Sequence, residues 1–190
     1  MTWKPIQDEP IPKQAKGLII PGGFPENHAE QLSSCTQSMK SLRDFFGRRP
    51  IYAECGGMLL LGQTLTDLNG KVHKMAGLIP FNATRGSVKV GYRNINCKRN
   101  GLITTRGDQL IGHEFHHWEL NINNPRAREA HINYLSNKKT NTLWKVRGWG
   151  TKETEEGWSG KFLHASWIHL HWPSSPKIMN SWRESLDQTK

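Results

Sequence analysis

The first part of the chain contains two short apolar runs, and each leads into a glycine turn. The first is Gly17–Ile20, ended by Pro21-Gly22-Gly23, and the second is Pro50–Ala53, followed closely by Cys55-Gly56-Gly57. A short apolar run that stops at such a turn is typical of a buried strand. Residues of helical character follow both turns, over about Glu26–Phe46 and Met58–Leu65. The pattern therefore predicts strand, turn and helix, repeated once.

Beyond Gly70 the chain changes to alternating apolar and polar positions with frequent turn residues, which is the pattern of β-strands. The predicted strands are Val88–Asn96, Leu110–Ile122, Trp144–Gly150 and Phe162–Trp172. The polar segment Asn123–Thr142 is predicted to leave the core. Helices between the early strands, with strands prevailing later, predict an α/β fold with a mixed, mostly parallel sheet flanked by helices.

The length of the chain fits one domain. A chain of 190 residues can bury one sizeable core, whereas a second full domain would be cramped. Three prolines and mixed charge predict an extended connector over residues 1–16, with the domain itself over 17–190. No run approaches the roughly 20 apolar residues that span a bilayer, and the start has no apolar signal-peptide core. We therefore expect a soluble, cytoplasmic protein without a membrane partner.

The formal net charge of +10 would favour nucleic acid or other acidic partners through long-range attraction. The basic residues are scattered, however, and their densest groupings are only the pairs Arg48-Arg49 and Lys138-Lys139. No DNA- or RNA-binding motif accompanies them. We therefore expect a solvated basic surface and no nucleic-acid partner. Binding that falls steeply with salt would instead support the nucleic-acid interpretation.

Cys55 is the candidate nucleophile. It lies between an apolar strand and an apolar helix, in Glu54-Cys55-Gly56-Gly57. A turn of this kind lifts the side chain out of the sheet and aims the helix N-terminus at it, which favours the reactive thiolate. The alternative is that Cys55 is simply a small buried apolar residue, as free cysteines often are. The local sequence leaves both interpretations open.

The turn Pro21-Gly22-Gly23-Phe24 is a second candidate for chemistry. It also follows a predicted strand, and the backbone N–H groups of such a turn could stabilise a developing oxyanion. Taken alone, an ordinary loop is the better interpretation. Two glycine turns at the ends of two neighbouring parallel strands nevertheless favour a cleft between them.

A cysteine nucleophile needs a base, and histidine is suited to that role near neutral pH. The nine histidines concentrate in Gly112–His117 and His164–Trp172. In the second run, strand alternation places Trp167, His169 and His171 on one face, opposite Ile168 and Leu170. Neither run has an HExxH pattern, and none of the three cysteines has a partner at zinc or disulfide spacing. We therefore predict no metal site.

Six segments, in order along the chain, carry a resemblance to a known family. They are Pro5–Pro12, Leu18–Glu26, Tyr52–Gly57, Gly91-Tyr92-Arg93, Gly112–His116 and Ala165–His171. In sequence, order and spacing they resemble the cobyrinic acid a,c-diamide synthases, which are related to the hydrogenobyrinic acid enzymes. That family belongs to the class I-like glutamine amidotransferases of cobalamin synthesis.

The resemblance implies a flavodoxin-like fold in which Cys55 attacks the side-chain amide of glutamine and forms a thioester. By position, His169 matches the histidine that activates the cysteine. Gly22, Gly23 and Gly56 match the oxyanion-stabilising and substrate-binding turns. The candidate support residues His113, Glu114 and His116 fall in a family signature, for which structural support of the cleft is the preferred role and direct catalysis the lesser one.

Two departures from related patterns matter. Ordinary members of the wider class follow the catalytic histidine with Pro-Glu, whereas Leu170-His171 stands here, so the third member of the catalytic site is open. The complete enzymes also have an ATP-dependent domain with a phosphate-binding loop, and no GxxxxGK[ST] occurs in this chain. The resemblance implies ATP and Mg²⁺ for a separate synthetase domain or subunit, no cofactor for this chain, and a linker origin for residues 1–16.

Two alternatives stay open within the same fold. The chain could be an inactive or regulatory amidotransferase-like subunit or a fragment, although the presence of Cys55 and His169 counts against loss of activity. It could also be the corresponding domain of a cobyric acid synthase, which amidates other peripheral carboxylates. The turn Ala53–Gly57 and the run Gly112–His116 favour the a,c-diamide branch.

Overall fold

The computed structural model describes residues 1–122 and 142–188. Its first half confirms the repeated order of strand, turn and helix. The elements are β1 (Leu18–Ile20), a 3₁₀ turn (Pro25–His28), α1 (Ala29–Ser34), α2 (Thr36–Phe45), β2 (Ile51–Glu54) and α3 (Gly56–Leu59). The two strands pair in parallel, with Ile20 opposite Ala53. Both glycine turns therefore leave the sheet at the same edge.

The second predicted helix is much shorter than expected. The apolar run Met58–Leu65 was predicted to be one helix, but α3 ends at Leu59 and Leu65 lies in β3 (Thr64–Thr66), followed by β4 (Val72–Lys74). Almost the whole run is buried. A run buried on every side carries no periodicity, so the pattern could not distinguish a helix from a turn and a strand.

The remaining elements are mostly strands, as predicted. They are β5 (Asn82–Cys97), β6 (Gln109–Asn121), β7 (Thr142–Gly148), β8 (Thr154–Gly160), β9 (Leu163–Ser166), β10 (Ile168–Leu170) and a final helix, α4 (Pro176–Asp187). The predicted strand Phe162–Trp172 is divided at Trp167, and β8 and α4 were not predicted. The expected excursion over Asn123–Thr142 lies, apart from Thr142, outside the described residues. None of the helices within the described ranges combines the length and apolar character needed to cross a membrane.

The strands form one mixed sheet, which confirms the predicted α/β class. Its order is β1-β2-β9-β8-β7-β5-β3-β4, while β6 pairs with both β5 and β10. The expected majority of parallel pairs is wrong. Within the described ranges the parallel pairs are β1–β2, β2–β9 and β3–β5, and the other pairings are antiparallel. Short connections between consecutive long strands permit hairpin-like pairing, which is antiparallel.

The sheet curls on itself at Trp167. This residue alone separates β9 from β10. Yet β9 pairs with β2 and β8, whereas β10 pairs with β6. Following the pairs from β9 through β8, β7, β5 and β6 leads back to β10. The interior of this curl holds buried polar side chains, and its outside meets the parallel unit that carries Cys55.

The N-terminal segment packs on α2. The backbone N–H of Ser38 donates a hydrogen bond to Asp8 Oδ1 at 2.9 Å, and the N–H of Ile11 donates to Ser41 Oγ at 3.0 Å. Ile11 is buried in the main core, against which Trp3 and Ile6 also pack. The division into a linker over 1–16 and a domain over 17–190 stays a prediction.

Candidate active site

Cys55 occupies a strained turn between β2 and α3. Its φ of 46° and ψ of −119° lie in a region that non-glycine residues rarely adopt, which costs of the order of 1–3 kcal/mol. The backbone N–H of Cys55 donates to the Ser166 carbonyl at 2.7 Å. This hydrogen bond to β9 keeps Cys55 in its strained backbone conformation. The Sγ atom lies 3.4 Å from the carbonyl oxygen of Phe115 on β6. The turn therefore projects the thiol off the end of β2 toward the curled part of the sheet.

The two glycine turns lie directly against each other. A Cβ on Gly56 would overlap the carbonyl oxygen of Gly23, and one on Gly57 would overlap that of Ile20. A Cβ on Gly22 would stand 2.5 Å from Cε1 of His169. The structure thus brings together Gly22, Gly23, Gly56, Cys55 and His169, as the sequence predicted. Their roles toward a substrate stay predictions.

His169 reaches Cys55 from a different part of the sheet. It lies on β10, opposite His113 of β6. Hydrogen bonding with Cys55, and then with Glu54, raises the pKa of His169 to about 10. At neutral pH the imidazole is therefore held protonated beside the sulfur.

Glu54 is a site residue that the sequence analysis did not single out. Its Oε2 lies 3.4 Å from Nδ1 of His169, and its Oε1 accepts a hydrogen bond from the backbone N–H of Leu170 at 3.0 Å. Burial alone would raise the pKa of Glu54, but hydrogen bonds from His169, Tyr52 and Leu170 outweigh burial and hold the pKa below its usual range. The only sequence signal was its place next to Cys55. Because adjacent strand residues point to opposite faces, that place did not predict contact with His169.

Glu114 and His116 belong to a buried polar network inside the curl. Glu114 accepts hydrogen bonds from Arg93 Nε at 2.6 Å and from His116 Nε2 at 2.7 Å. The ring of His116 stacks on Trp167 with centroids 3.8 Å apart. These contacts tie β6 to β5 and to the bend before β10, an arrangement that suits a supporting role. His113 lies on the opposite face, with its ring 5.5 Å from that of Tyr92.

Glu156 is a second functional candidate that sequence reasoning missed. Its carboxylate accepts hydrogen bonds from Trp144 Nε1 at 2.6 Å, from Ser166 Oγ at 2.8 Å and from the Trp167 N–H at 2.7 Å. Burial raises its pKa, more than these three donors lower it. Glu156 therefore fixes the break between β9 and β10, which determines where His169 lies. Since β8 was not predicted, no pattern pointed to this residue.

A cavity of about 630 Å³ opens inside the curl, and its lining includes Arg93, Glu114, His116 and Glu156. Neither Cys55 nor His169 lines it. The cavity is therefore separate from the two glycine turns, beside which Cys55 and His169 lie.

The other cysteines have different surroundings. Cys35 and Cys97 are buried and free, and burial raises the pKa of the Cys97 thiol to about 11. Among the described residues, no three His, Cys, Asp or Glu side chains are placed to hold a metal ion. Of the three thiols, only Cys55 combines a strained turn with a histidine neighbour.

Comparison with known proteins places this arrangement in a family. The model of the CobB/CobQ-like glutamine amidotransferase domain matches residues 1–177. The chain belongs to this family. The match confirms the resemblance seen in the sequence.

Individual relatives of this CobB/CobQ-like domain are cobyrinate a,c-diamide synthases. The chain is 34% identical to that of Picrophilus torridus over 177 residues, which is 93% of this chain and 35% of the relative. It is 30% identical to that of Salmonella typhimurium, over 96% of this chain and 38% of the relative. The chain thus spans little more than a third of the length of the curated relatives that it matches. It is homologous to their glutamine amidotransferase domain.

A solved structure shows the same fold. A crystal structure of a glutamine amidotransferase superposes with a TM-score of 0.54, at 13% identity, over 92% of this chain and 81% of that protein. At this identity the likeness concerns the fold alone. It supports the flavodoxin-like amidotransferase architecture, here with a curled sheet and few helices.

Proposed function

We propose that this domain hydrolyses glutamine through a Cys55 thioester and supplies ammonia for the amidation of corrin carboxylates. The observation that carries the proposal is that two glycine turns meet beside Cys55, with His169 packed against the first turn at Gly22 and lying 3.4 Å from Glu54, the residue before Cys55. A thiol paired with an imidazole is the arrangement of a nucleophile and its acid–base partner. Membership of the amidotransferase family makes glutamine the expected substrate.

The proposed reaction uses Cys55 as the nucleophile and His169 as its acid–base partner. The Cys55 sulfur, beside the protonated His169, attacks the amide carbon of glutamine and forms a C–S bond. The His169 imidazolium then gives its proton to the amide nitrogen, the C–N bond breaks and ammonia leaves. Water attacks the thioester while neutral His169 accepts a proton from it. The C–S bond breaks, glutamate leaves and the original pair is restored.

Negative charge develops on the carbonyl oxygen when the sulfur attacks and again when water attacks, so hydrogen-bond donors must lie near that oxygen. The turn at Gly22-Gly23 and the start of α3 at Gly56 are the candidates, because they are in contact beside Cys55. Backbone N–H groups held in fixed turns stabilise an oxyanion without reorganisation. This assignment agrees with the oxyanion role predicted for Gly22, Gly23 and Gly56.

The test is glutamate release from glutamine by the purified chain. We expect Cys55→Ala to abolish release, since it removes the sulfur on which the acyl intermediate forms. Cys97→Ala is the matched control, because it removes a buried thiol that lies outside the site. Mass spectrometry after quenching should detect a glutamyl adduct on Cys55 in the unmodified chain. Equal release by the Cys55→Ala variant and the unmodified chain would refute the proposal.

The partner that we propose is an ATP-dependent synthetase domain or subunit that carries the corrin and uses ATP with Mg²⁺. The relatives are named cobyrinate a,c-diamide synthases, and about two thirds of their length has no counterpart in this chain. A row of exposed apolar residues supports a docking surface beside the site: Val88, Val90, Tyr92, Ile111 and Phe115. Cross-strand pairing places Tyr92 beside His113, and His113 beside His169, on the same face.

This docking surface can be tested with the partner present. Glutamate release is measured with and without a separately expressed synthetase domain from the same organism, supplied with ATP and Mg²⁺. We expect the partner to raise release, and Val90→Asp to weaken that stimulation at least about tenfold, as a charge buried in an apolar interface would. Val72→Asp is the control, because Val72 is similarly exposed but lies on β4. Equal stimulation of both variants would argue against this face.

A further inference from the structure

We propose that Glu54 is the positioning carboxylate of the catalytic pair, the residue that holds the Nδ1 side of His169 and directs its other ring nitrogen toward Cys55. The inference rests on the proposed glutaminase function and answers a question that the sequence left open, since Leu170-His171 stands where related enzymes have Pro-Glu. The carboxylate comes instead from the residue before the nucleophile. Its Oε2 lies 3.4 Å from His169 Nδ1.

Glu54 is itself held firmly from two sides. Its Oε1 accepts from the Leu170 N–H at 3.0 Å, and it also accepts from the hydroxyl of Tyr52. Burial, and then the adjacent Glu54 charge, raise the pKa of Tyr52, so the phenol stays protonated and donates. With Oε1 occupied by two donors, Oε2 is the oxygen left to face His169. The Leu170 contact also ties Glu54 to the strand on which His169 lies.

The local environment makes this contact effective. The Glu54 side chain is only 14% exposed, whereas that of His169 is 35% exposed. A charge held away from solvent is screened less than one on the surface. After His169 has given its proton to ammonia, the neutral ring must keep its hydrogen on Nδ1 so that the other nitrogen can accept from water. A carboxylate that accepts from Nδ1–H selects that tautomer.

The decisive variant is Glu54→Gln. To keep both hydrogen bonds at Oε1, the glutamine must present its carbonyl oxygen to Tyr52 and Leu170, and therefore its NH₂ group to His169. The backbone support is then preserved, while an acceptor beside Nδ1 becomes a donor and the negative charge is lost. Glu184→Gln is the matched control, because it makes the same exchange at an exposed residue of α4 and leaves Glu54 opposite His169.

Two measurements do not depend on glutamine turnover. The His169 ring is titrated by NMR, and the rate at which iodoacetamide alkylates Cys55 is followed by mass spectrometry. In Glu54→Gln we expect the pKa of His169 to fall by about one to three pH units, the usual effect of removing an opposite charge at this range. We also expect alkylation at pH 7 to slow about tenfold or more. In Glu184→Gln both readouts should stay near those of the unmodified chain.

A kinetic measurement then connects the contact to turnover. Glu54→Gln should lower kcat for glutamate release about a hundredfold, the usual size of an acid–base contribution, with little change in KM because Glu54 does not face the substrate. If His169 titration and Cys55 alkylation are the same in Glu54→Gln as in the unmodified chain, the proposal is wrong. A chain that releases no glutamate but shows both expected shifts would refute the glutaminase function alone.

Discussion

Gly22 is the position where a single methyl group would test the contact between the first glycine turn and the histidine. A Cβ there would stand 2.5 Å from Cε1 of His169, well inside contact distance. Because the His169 side chain is partly exposed, it can move away and relieve the overlap. We expect Gly22→Ala to lower kcat for glutamate release about a hundredfold, since a displacement of 1 Å can have that effect.

A measurement of the free energy of unfolding distinguishes this loss of kcat from a folding defect. The free energy of unfolding of Gly22→Ala should fall by no more than about 1 kcal/mol, because a flexible side chain and not the backbone receives the methyl group. Gly23→Ala is the stability control, as nothing lies within 4 Å of a Cβ at that position. If Gly22→Ala retained full kcat in the folded protein, His169 would not need to lie where the structure places it.

The predictable part of the site is the part that depends on backbone turns. Strand-end glycines identified Cys55 and the turn at Gly22-Gly23, and resemblance identified His169. Glu54 and Glu156 could not be found in this way, because each acts through a contact made across the sheet. Their partners depend on register and on the break at Trp167, which local sequence does not encode.

At the scale of the elements, the seam between β6 and β10 determines where His169 stands. Gly112 lies opposite Leu170 in this pairing, and a Cβ on Gly112 would overlap the Ile168 side chain and come within 2.9 Å of the His169 carbonyl oxygen. Gly112→Ala should therefore push β10 outward. We expect a loss of about 1–3 kcal/mol in the free energy of unfolding, typical of overpacking, together with a fall in glutamate release.

The neighbouring residue offers the control for this prediction. Ile111 is on the same strand but is 66% exposed, so Ile111→Ala should change the free energy of unfolding by less than about 0.5 kcal/mol. Urea unfolding of both variants, followed by tryptophan fluorescence, makes the comparison. Equal stability of the two variants would show that β10 tolerates displacement from β6.

Element boundaries show where the sequence was informative. β5 and β6 have long alternating patterns; β6 was predicted within one residue at each end, whereas β5 begins six residues earlier than expected. The largely buried run Met58–Leu65 was wrongly predicted as one helix, because burial of nearly every position removes the periodic pattern. β9 and β10 were merged since both are apolar and only Trp167 divides them.

For the molecule as a whole, His164 should make stability depend on pH. It is fully buried, its ring stacks on Tyr52 at 4.6 Å, and burial lowers its pKa from 6.5 to about 3. Between these values the unfolded chain binds a proton that the native protein does not, so stability is lost as pH falls through this window. From pH 7 to pH 5 the loss should be about 2 kcal/mol.

His164→Phe isolates this contribution, because it keeps a ring against Tyr52 and removes the titrating group. His169 acts in the opposite direction and in another window, since its raised pKa stabilises the fold at low pH and that contribution is lost between about pH 6.5 and 10. The quantity to compare is therefore the difference in unfolding free energy between variant and parent at each pH. A difference that is constant from pH 7 to pH 5 would contradict the prediction.

The overall architecture could be predicted only in part. Alternating helices and strands indicated an α/β fold, and resemblance indicated the amidotransferase type. The prediction that most strand pairs are parallel was wrong, because the order of strands along the chain does not determine which strands pair or in which direction. The curl depends on β9 and β10 joining different neighbours, a consequence of long-range contacts and of the half-buried Glu156.

The bend at Trp167 places the two reactive side chains on strands that pair with different parts of the sheet. The nucleophile stands on the parallel unit of β1 and β2, whereas the histidine is carried by a strand attached to the β5–β6 ribbon. A partner that displaces that ribbon from its outer face would reorient His169 relative to the Cys55 sulfur without contacting either residue. A protein bound to the β5–β6 ribbon would thus change the rate of glutamine hydrolysis by altering the alignment of Cys55 and His169.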